Sequence, residues 1–186
     1  MENKKCAAVF LFDGVEECEA LIVVDLLRRA NIDVDIVSIG SALEICGSHN
    51  IRVIADIMLK DMMVDKYELL VLPGGAGANS YEENEEVCDI LKQHNAKNKV
   101  IAAICAAPYI LAKLGMLREK PATCYPSVRN ILIENQAIYV DLPVTMADKI
   151  ITGKALGTAI SFAAEIITHL LSKEKAEEVL AGIYYS

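Results

Sequence analysis

The stretch 99–113 changes its hydrophobic pattern in the middle, and this change constrains the fold more than any other feature of the chain. Apolar and β-branched residues occupy 100–104 without helical spacing, a pattern typical of a buried strand. After Cys105 the apolar residues recur at helical spacing, and Pro108 suits the first turn of a helix, where its missing N–H costs nothing. The pattern therefore predicts a strand that turns directly into a helix, with Cys105 on the turn.

The residues around Cys105 are small, as a nucleophile on a sharp turn requires. Alanine occupies positions 103, 106 and 107, where larger side chains would collide. Free N–H groups at the start of the helix favour a thiolate, so the pattern predicts that the pKa of Cys105 lies below its ordinary value. A buried cysteine that serves only as a small hydrophobic residue would fit the same local pattern.

Strand and helix patterns alternate along the chain. This alternation predicts an α/β fold with a mostly parallel sheet covered on both faces, in one domain over 1–186. The predicted strands are 6–12, 34–40, 66–73, 100–104, 122–125, 137–140 and 144–152, with a β-hairpin at 43–56. The first predicted helix begins at the acidic residues after strand 6–12 and ends at Ala30. The other predicted helices are 82–95, 158–171 and 174–181.

Three features lie at predicted carboxyl ends of strands, where ligands bind in sheets of this kind. Cys105 is one. The pair Gly74-Gly75 is another, and its backbone N–H groups could stabilise an oxyanion or simply form a turn. The third is the acidic start of the first helix, with Glu16, Glu17 and Glu19. Two of these acids fit the helix dipole, and local physics leaves open which one has another purpose.

Composition excludes several classes of function. The net charge of −8, without a cluster of Lys and Arg, argues against nucleic-acid binding. No apolar run is long enough for a membrane span, and the N-terminal residues do not resemble a signal peptide, so we expect a cytoplasmic protein. Six cysteines without CxxC pairs suggest neither a zinc site nor a disulfide framework. We therefore expect no metal. The glycines near position 75 match a dinucleotide motif poorly, so we also expect no cofactor.

A conventional Cys–His catalytic pair finds little support. Histidine occurs at 49, 94 and 169, and only His49, in the predicted hairpin, could approach Cys105. The residue after the cysteine is Ala106. The sequence therefore offers no obvious general base, which weakens a hydrolase hypothesis.

Several motifs together resemble the ThiJ/PfpI superfamily, and within it the branch of the parkinsonism-associated protein deglycase (DJ-one) and its bacterial relatives. The motifs are LPGG at 72–75, AAICAAP at 102–108, VEECEA at 15–20, LLRRA at 26–30 and TGKALGTAISFAAEII at 152–167. The resemblance implies a flavodoxin-like three-layer sandwich with a nucleophile elbow, like that of class I glutamine amidotransferases, and a homodimer.

The resemblance also implies roles for individual residues. Cys105 matches the reactive, oxidisable cysteine, and Glu19 matches the carboxyl group that hydrogen-bonds it. Arg29 matches an arginine near the site and the dimer contact. The backbone groups that match the oxyanion site are those of Gly74, Gly75 and Ala106.

Departures from the family pattern reduce the number of activities that the resemblance allows. Tyr125 stands where the human member of the branch has a histidine proposed as a triad-like partner, and His49 stands where that protein has an arginine. PfpI-type proteases have a histidine at the position of Ala106, so a protease is disfavoured. The chain also lacks the His-x-Glu pair of glutamine amidotransferases near its C-terminus.

The resemblance implies a cysteine-dependent deglycase or glyoxalase that acts, without a cofactor, on methylglyoxal or its early adducts on thiols and amines. The Cys105 thiolate would attack the aldehyde, and Glu19 would move the proton between carbon and oxygen. The alternative is a redox-sensing stress protein or chaperone, in which oxidation of Cys105 to a sulfinate is the functional event. Both functions need a reactive thiol beside an acid, so the sequence leaves both open.

Overall fold

A seven-stranded sheet forms the centre of the computed structural model, which describes residues 4–185. Residues 1–3 and 186, at the ends of the predicted domain, lie outside the described residues. Its strands are β1 (Cys6–Leu11), β2 (Asp33–Ser38), β5 (Ile57–Met58), β6 (Leu69–Leu72), β7 (Val100–Ile104), β10 (Val144–Ala147) and β11 (Ile150–Gly153). The order of the strands is β10-β11-β7-β6-β1-β2-β5, and every neighbouring pair is parallel except β10 and β11.

Helices cover the sheet and complete a three-layer α/β architecture. The helices are α1 (Glu17–Arg29), α2 (Ser80–Glu83), α3 (Glu85–Ala96), α4 (Pro108–Lys113), α5 (Arg129–Glu134), α6 (Ala159–Leu170) and α7 (Lys173–Gly182). The helix α1 packs against α6, and α6 packs in turn against α7. Among the described residues, no helix combines the length and the apolar character needed to cross a membrane.

The central strands are buried throughout, which explains their continuous apolar sequences. Every residue of β6 and β7 is buried, as expected where helices cover both faces of a parallel sheet. The predicted α/β class with a mostly parallel sheet is therefore confirmed.

The predicted hairpin at 43–56 is also confirmed, and it forms a separate two-stranded sheet. Its strands β3 (Glu44–Cys46) and β4 (Arg52–Ile54) pair antiparallel. Asn50, with φ of 62°, takes the left-handed conformation in the turn, which asparagine tolerates better than most residues. The hairpin lies against the loop between β1 and α1, where the Gly14 N–H donates to the Cys46 carbonyl at 2.8 Å.

Two predicted elements are each divided in the structure. The range 144–152 contains two antiparallel strands, because Asp148, with φ of 52°, reverses the chain between β10 and β11. The predicted helix 82–95 is interrupted at Asn84, whose side chain accepts a hydrogen bond from the Val87 N–H and caps the start of α3.

The predicted strands 122–125 and 137–140 shrink to two residues each, β8 (Pro121–Ala122) and β9 (Ile138–Tyr139). After β8 the backbone leaves the strand ladder, because the Thr123 N–H donates to the Thr152 hydroxyl. The prediction for 66–73 began too early, since a 3-10 turn occupies Val64–Lys66 before β6.

Candidate active site

Cys105 lies on a strained turn between β7 and α4, as the strand-to-helix pattern predicted. Its φ of 64° is in the left-handed region, which costs a residue with a side chain about 1–3 kcal/mol. Two hydrogen bonds hold the backbone there: the Cys105 N–H donates to the Gly153 carbonyl at 3.0 Å, and the Tyr125 N–H donates to the Cys105 carbonyl at 2.7 Å. This geometry is that of a nucleophile elbow.

Gly74 allows another strand end to approach the elbow closely. A Cβ atom at this position would lie 2.7 Å from the Cys105 Cβ, 2.9 Å from the Ala106 nitrogen and 2.9 Å from a Glu19 carboxylate oxygen. Side chains do not tolerate such distances. The need for a glycine at 74 therefore comes from contact with the site and not from turn geometry.

Glu19 is the acid that faces Cys105. It lies in the first turn of α1 and is fully buried. The Gly74 N–H donates to its Oε2 at 2.9 Å, whereas its Oε1 has no regular hydrogen-bond partner among residues 4–185. The carboxyl group is close enough to the Cys105 thiol to change its pKa. The Glu19 carboxyl group therefore lies next to the Cys105 thiol.

Burial and mutual repulsion control the ionisation of this pair. Burial raises the pKa of Glu19 to about 7, although its contacts with Cys105 and the Gly74 N–H act in the opposite direction. Burial also raises the pKa of the Cys105 thiol, and the negative charge of Glu19 raises it further. The prediction of a lowered pKa for Cys105 is wrong here, because the Ala106 N–H alone opposes these larger effects. The two groups do not lose both protons at neutral pH, since two adjacent negative charges repel each other.

The three backbone groups implied for an oxyanion site differ in their availability. The Gly74 N–H is directed to Glu19, so the expectation that it holds a substrate oxygen is corrected. The Ala106 N–H faces the Cys105 sulfur. The Gly75 N–H has no acceptor within the part of the chain that the structure describes. Gly75 has φ of 122° and lies against the Gly14 carbonyl, which excludes a side chain. Gly75 and Ala106 therefore remain the candidate donors.

Of the other residues implied near the site, only Tyr125 contacts Cys105, and it does so through its backbone. Arg29 is in the last turn of α1 and pairs with Asp25 at 2.7 Å. It lies ten positions after Glu19 in the same helix, a distance of roughly 15 Å along the axis. Its expected position near the site is therefore not found within this chain.

His49 contacts the acidic start of α1, and among the described residues no hydrogen bond joins it to the Cys105 thiol. Its side chain is exposed, and its Nδ1 lies 3.1 Å from the Glu17 carboxylate. Glu17 is buried and accepts hydrogen bonds from the backbone N–H groups of His49 and Ile51. It thus anchors the hairpin, a role that goes beyond the helix dipole.

Sequence patterns did not indicate the contribution of the last residue of β11 and of the segment that follows it. The Gly153 carbonyl holds the elbow, and the Leu156 N–H faces Glu19. A Cβ atom at Gly153 would lie 2.9 Å from side-chain atoms of Ile104 and Phe162. A glycine directly after an apolar strand was the only signal, and it is a weak one because glycine commonly ends strands.

Comparison with known proteins finds similarity over most of the chain. A sequence model of the DJ-1/PfpI family matches residues 5–169. Protein dj-1beta of Drosophila melanogaster is 38% identical over 180 residues, which cover 96% of each chain. Its crystal structure has a TM-score of 0.94 and covers 99% of this chain and 100% of that one.

Two further relatives illustrate the range of similar proteins. The glutathione-independent glyoxalase DJR-1.2 of Caenorhabditis elegans is 31% identical over 182 residues, covering 97% of this chain and 96% of its own. The structure of oxidized DJ-1 of Toxoplasma gondii is 29% identical, with a TM-score of 0.92, and covers 98% of this chain and 99% of that one.

Proposed function

The chain belongs to the DJ-1/PfpI family, and from this premise we propose that it is a cofactor-independent glyoxalase or deglycase. Its substrates would be methylglyoxal or the early adducts of methylglyoxal on thiols and amines, and the product would be lactate. The observation that carries this proposal is the buried pair of Glu19 and Cys105 on the strained elbow. A relative with the name of a glutathione-independent glyoxalase supports it.

The raised pKa of Glu19 suits it to act as the base that the histidines do not supply. A carboxyl group with a pKa of about 7 can both accept and return a proton at neutral pH. Glu19 takes the proton of the Cys105 thiol as the sulfur adds to the aldehyde carbon, and returns it to the aldehyde oxygen. The product of this step is a hemithioacetal, and the thiol needs no low pKa of its own.

The next steps convert the hemithioacetal to lactate without an external oxidant. Glu19 removes the proton from the former aldehyde carbon, and the resulting enediol takes a proton at the neighbouring carbon. The aldehyde carbon is thereby oxidised to a thioester on Cys105, while the ketone is reduced to a hydroxyl group. Water then hydrolyses the thioester and releases lactate and the free thiol. The N–H groups of Gly75 and Ala106 are placed to stabilise the oxygen that carries negative charge.

The test is an assay of lactate formed from methylglyoxal by the purified chain without added thiols. We expect Cys105→Ser and Glu19→Gln each to lower kcat/KM by about 10²-fold or more, because each removes a group that takes part in proton transfer or bond formation. Cys18→Ser is the matched control, since Cys18 lies in the first turn of α1 beside Glu19 but is exposed, and its replacement should leave activity unchanged. Wild-type lactate production by Cys105→Ser would refute the proposal.

A redox-sensing role is the second candidate, and the position of the buried Glu19 carboxyl group beside Cys105 favours it. Its Oε1, which makes no regular hydrogen bond within residues 4–185, could donate a proton to one oxygen of a Cys105 sulfinate and stabilise that oxidation state. One similar structure is that of a relative described as oxidized, DJ-1 of Toxoplasma gondii. In this case peroxide modifies Cys105 while Cys105→Ser has no effect on methylglyoxal consumption.

A further inference from the structure

Three metal-ligating side chains meet beside the candidate active site without belonging to the Glu19–Cys105 pair. Glu16 and Glu17 come from the start of α1, and His49 comes from the turn of the hairpin. The His49 Nδ1 lies 3.1 Å from Oε2 of Glu17 and 3.5 Å from Oε2 of Glu16. One atom of each residue lies within 4.8 Å of the other two. The imidazole therefore faces two different carboxylates at once.

Glu17 is a buried carboxylate with one oxygen already satisfied. Its Oε1 accepts the N–H groups of His49 at 2.7 Å and Ile51 at 3.3 Å. Its other oxygen, Oε2, is directed to the exposed His49 imidazole.

The negative charge of this cluster is not balanced by lysine or arginine. Within residues 4–185, the only ion-pair partner of Glu16 or Glu17 is His49. Hydrogen bonds from the hairpin backbone hold Glu17 in place, and such outer contacts commonly orient the ligands of metal ions.

We propose that Glu16, Glu17 and His49 bind a divalent transition-metal ion of the Zn²⁺ class. Ligand nitrogen and oxygen atoms lie about 2.0–2.2 Å from Zn²⁺, so two ligands in a tetrahedral arrangement are roughly 3.4 Å apart. The separations of 3.1 and 3.5 Å fit this spacing. One imidazole and two carboxylates are ligands that Zn²⁺ accepts, and a water molecule would complete the coordination.

In this site the metal takes the position of the proton on the His49 Nδ1. That proton leaves to solvent from the charged imidazole, or moves to Nε2 in the neutral one. The bound ion links the hairpin turn to the start of α1 through its ligands. The site contains no cysteine, so the cysteine spacing that suggested no zinc could not have indicated it. The proposal is independent of the glyoxalase activity.

The experiment is a calorimetric titration of the EDTA-treated chain with Zn²⁺ alone. Cys105→Ser is included so that the thiol cannot supply a ligand. His49→Gln and Glu16→Gln remove ligands from side chains that are not fully buried, and circular dichroism checks that both variants remain folded. His169→Gln is the matched control, because it removes an imidazole that belongs to α6.

We expect one equivalent of Zn²⁺ to bind with the same Kd to the wild type, Cys105→Ser and His169→Gln. The Kd should rise at least tenfold in His49→Gln and in Glu16→Gln, as expected when a ligand is lost. The absorption spectrum of the Co²⁺ complex should lack a thiolate-to-metal charge-transfer band. The proposal is overturned if no metal binds, if His49→Gln binds as the wild type does, or if binding disappears in Cys105→Ser.

Discussion

Gly74→Ala tests whether the close approach of two strand ends creates the active site. The added Cβ would lie 2.7 Å from the Cys105 Cβ and 2.9 Å from both the Ala106 nitrogen and the Glu19 Oε2. Carbon atoms in contact are ordinarily about 3.5–4.0 Å apart, so the new methyl group must displace its neighbours by roughly 1 Å. Backbone and a buried carboxyl group surround it, and neither can simply rotate away.

This displacement should affect activity more than stability. A shift of about 1 Å between reacting groups can lower a rate by about 10²-fold, because the groups no longer start in a reactive arrangement. Overpacking of a buried position costs about 1–3 kcal/mol. For a chain of this size each 1 kcal/mol lowers Tm by about 2–4 °C, so the variant should remain folded at room temperature.

The assay is lactate formation from methylglyoxal, together with thermal unfolding of the same preparation. Gly157→Ala is the matched control, because a Cβ atom at that position meets nothing within 4 Å and its φ is not in the left-handed region. We expect the control to keep both activity and Tm within small changes. Wild-type turnover by a folded Gly74→Ala variant would refute the argument that Gly74 positions Glu19 against Cys105.

The remaining predictions concern ionisation, oxidation and assembly. Because the pKa of Glu19 rises from 4.5 to about 7 on folding, the native state binds this proton more tightly, and the free energy of unfolding falls as pH rises through this range. Glu19→Gln should flatten this dependence and raise the free energy of unfolding above pH 7 by up to about 3 kcal/mol in denaturant titrations, whereas an unchanged slope would contradict the assigned pKa. Under the redox-sensing alternative, peptide mass spectrometry after graded peroxide should find Cys105 as sulfinate before the exposed Cys18 and Cys46 are modified, and Glu19→Asp should change the product distribution. Oxidation of Cys18 or Cys46 ahead of Cys105 would count against that alternative. We expect a homodimer in sedimentation equilibrium, and a monomer at micromolar concentration would contradict the expectation taken from the family resemblance.

Short-range patterns in the sequence were sufficient for the elbow and the hairpin. The change of period at Cys105, the small neighbours and Pro108 all act within a few residues, where sterics and backbone hydrogen bonding decide the conformation. The turn inside 144–152 was missed, because an apolar pattern does not report the single left-handed residue, Asp148, that divides it.

Local physics did not decide which acid faces the thiol. Glu16, Glu17 and Glu19 are equivalent as charges at a helix start, and the choice of Glu19 came from the resemblance to a family. The structure separates the three through contacts with distant segments: Gly74, 55 positions away, donates to Glu19, and the hairpin, more than 30 positions away, contacts the other two.

The pKa of Cys105 and the availability of backbone donors were decided only by the tertiary structure. The sequence predicts N–H groups near the Cys105 thiol, and these groups alone would lower the pKa of the thiol. Burial and the charge of Glu19 depend on how α1, β6 and β7 pack together, and they reverse the direction of the shift. The same packing directs the Gly74 N–H to Glu19. Desolvation and repulsion between charges arise only when the interior has assembled, so no local sequence pattern around Cys105 predicts them.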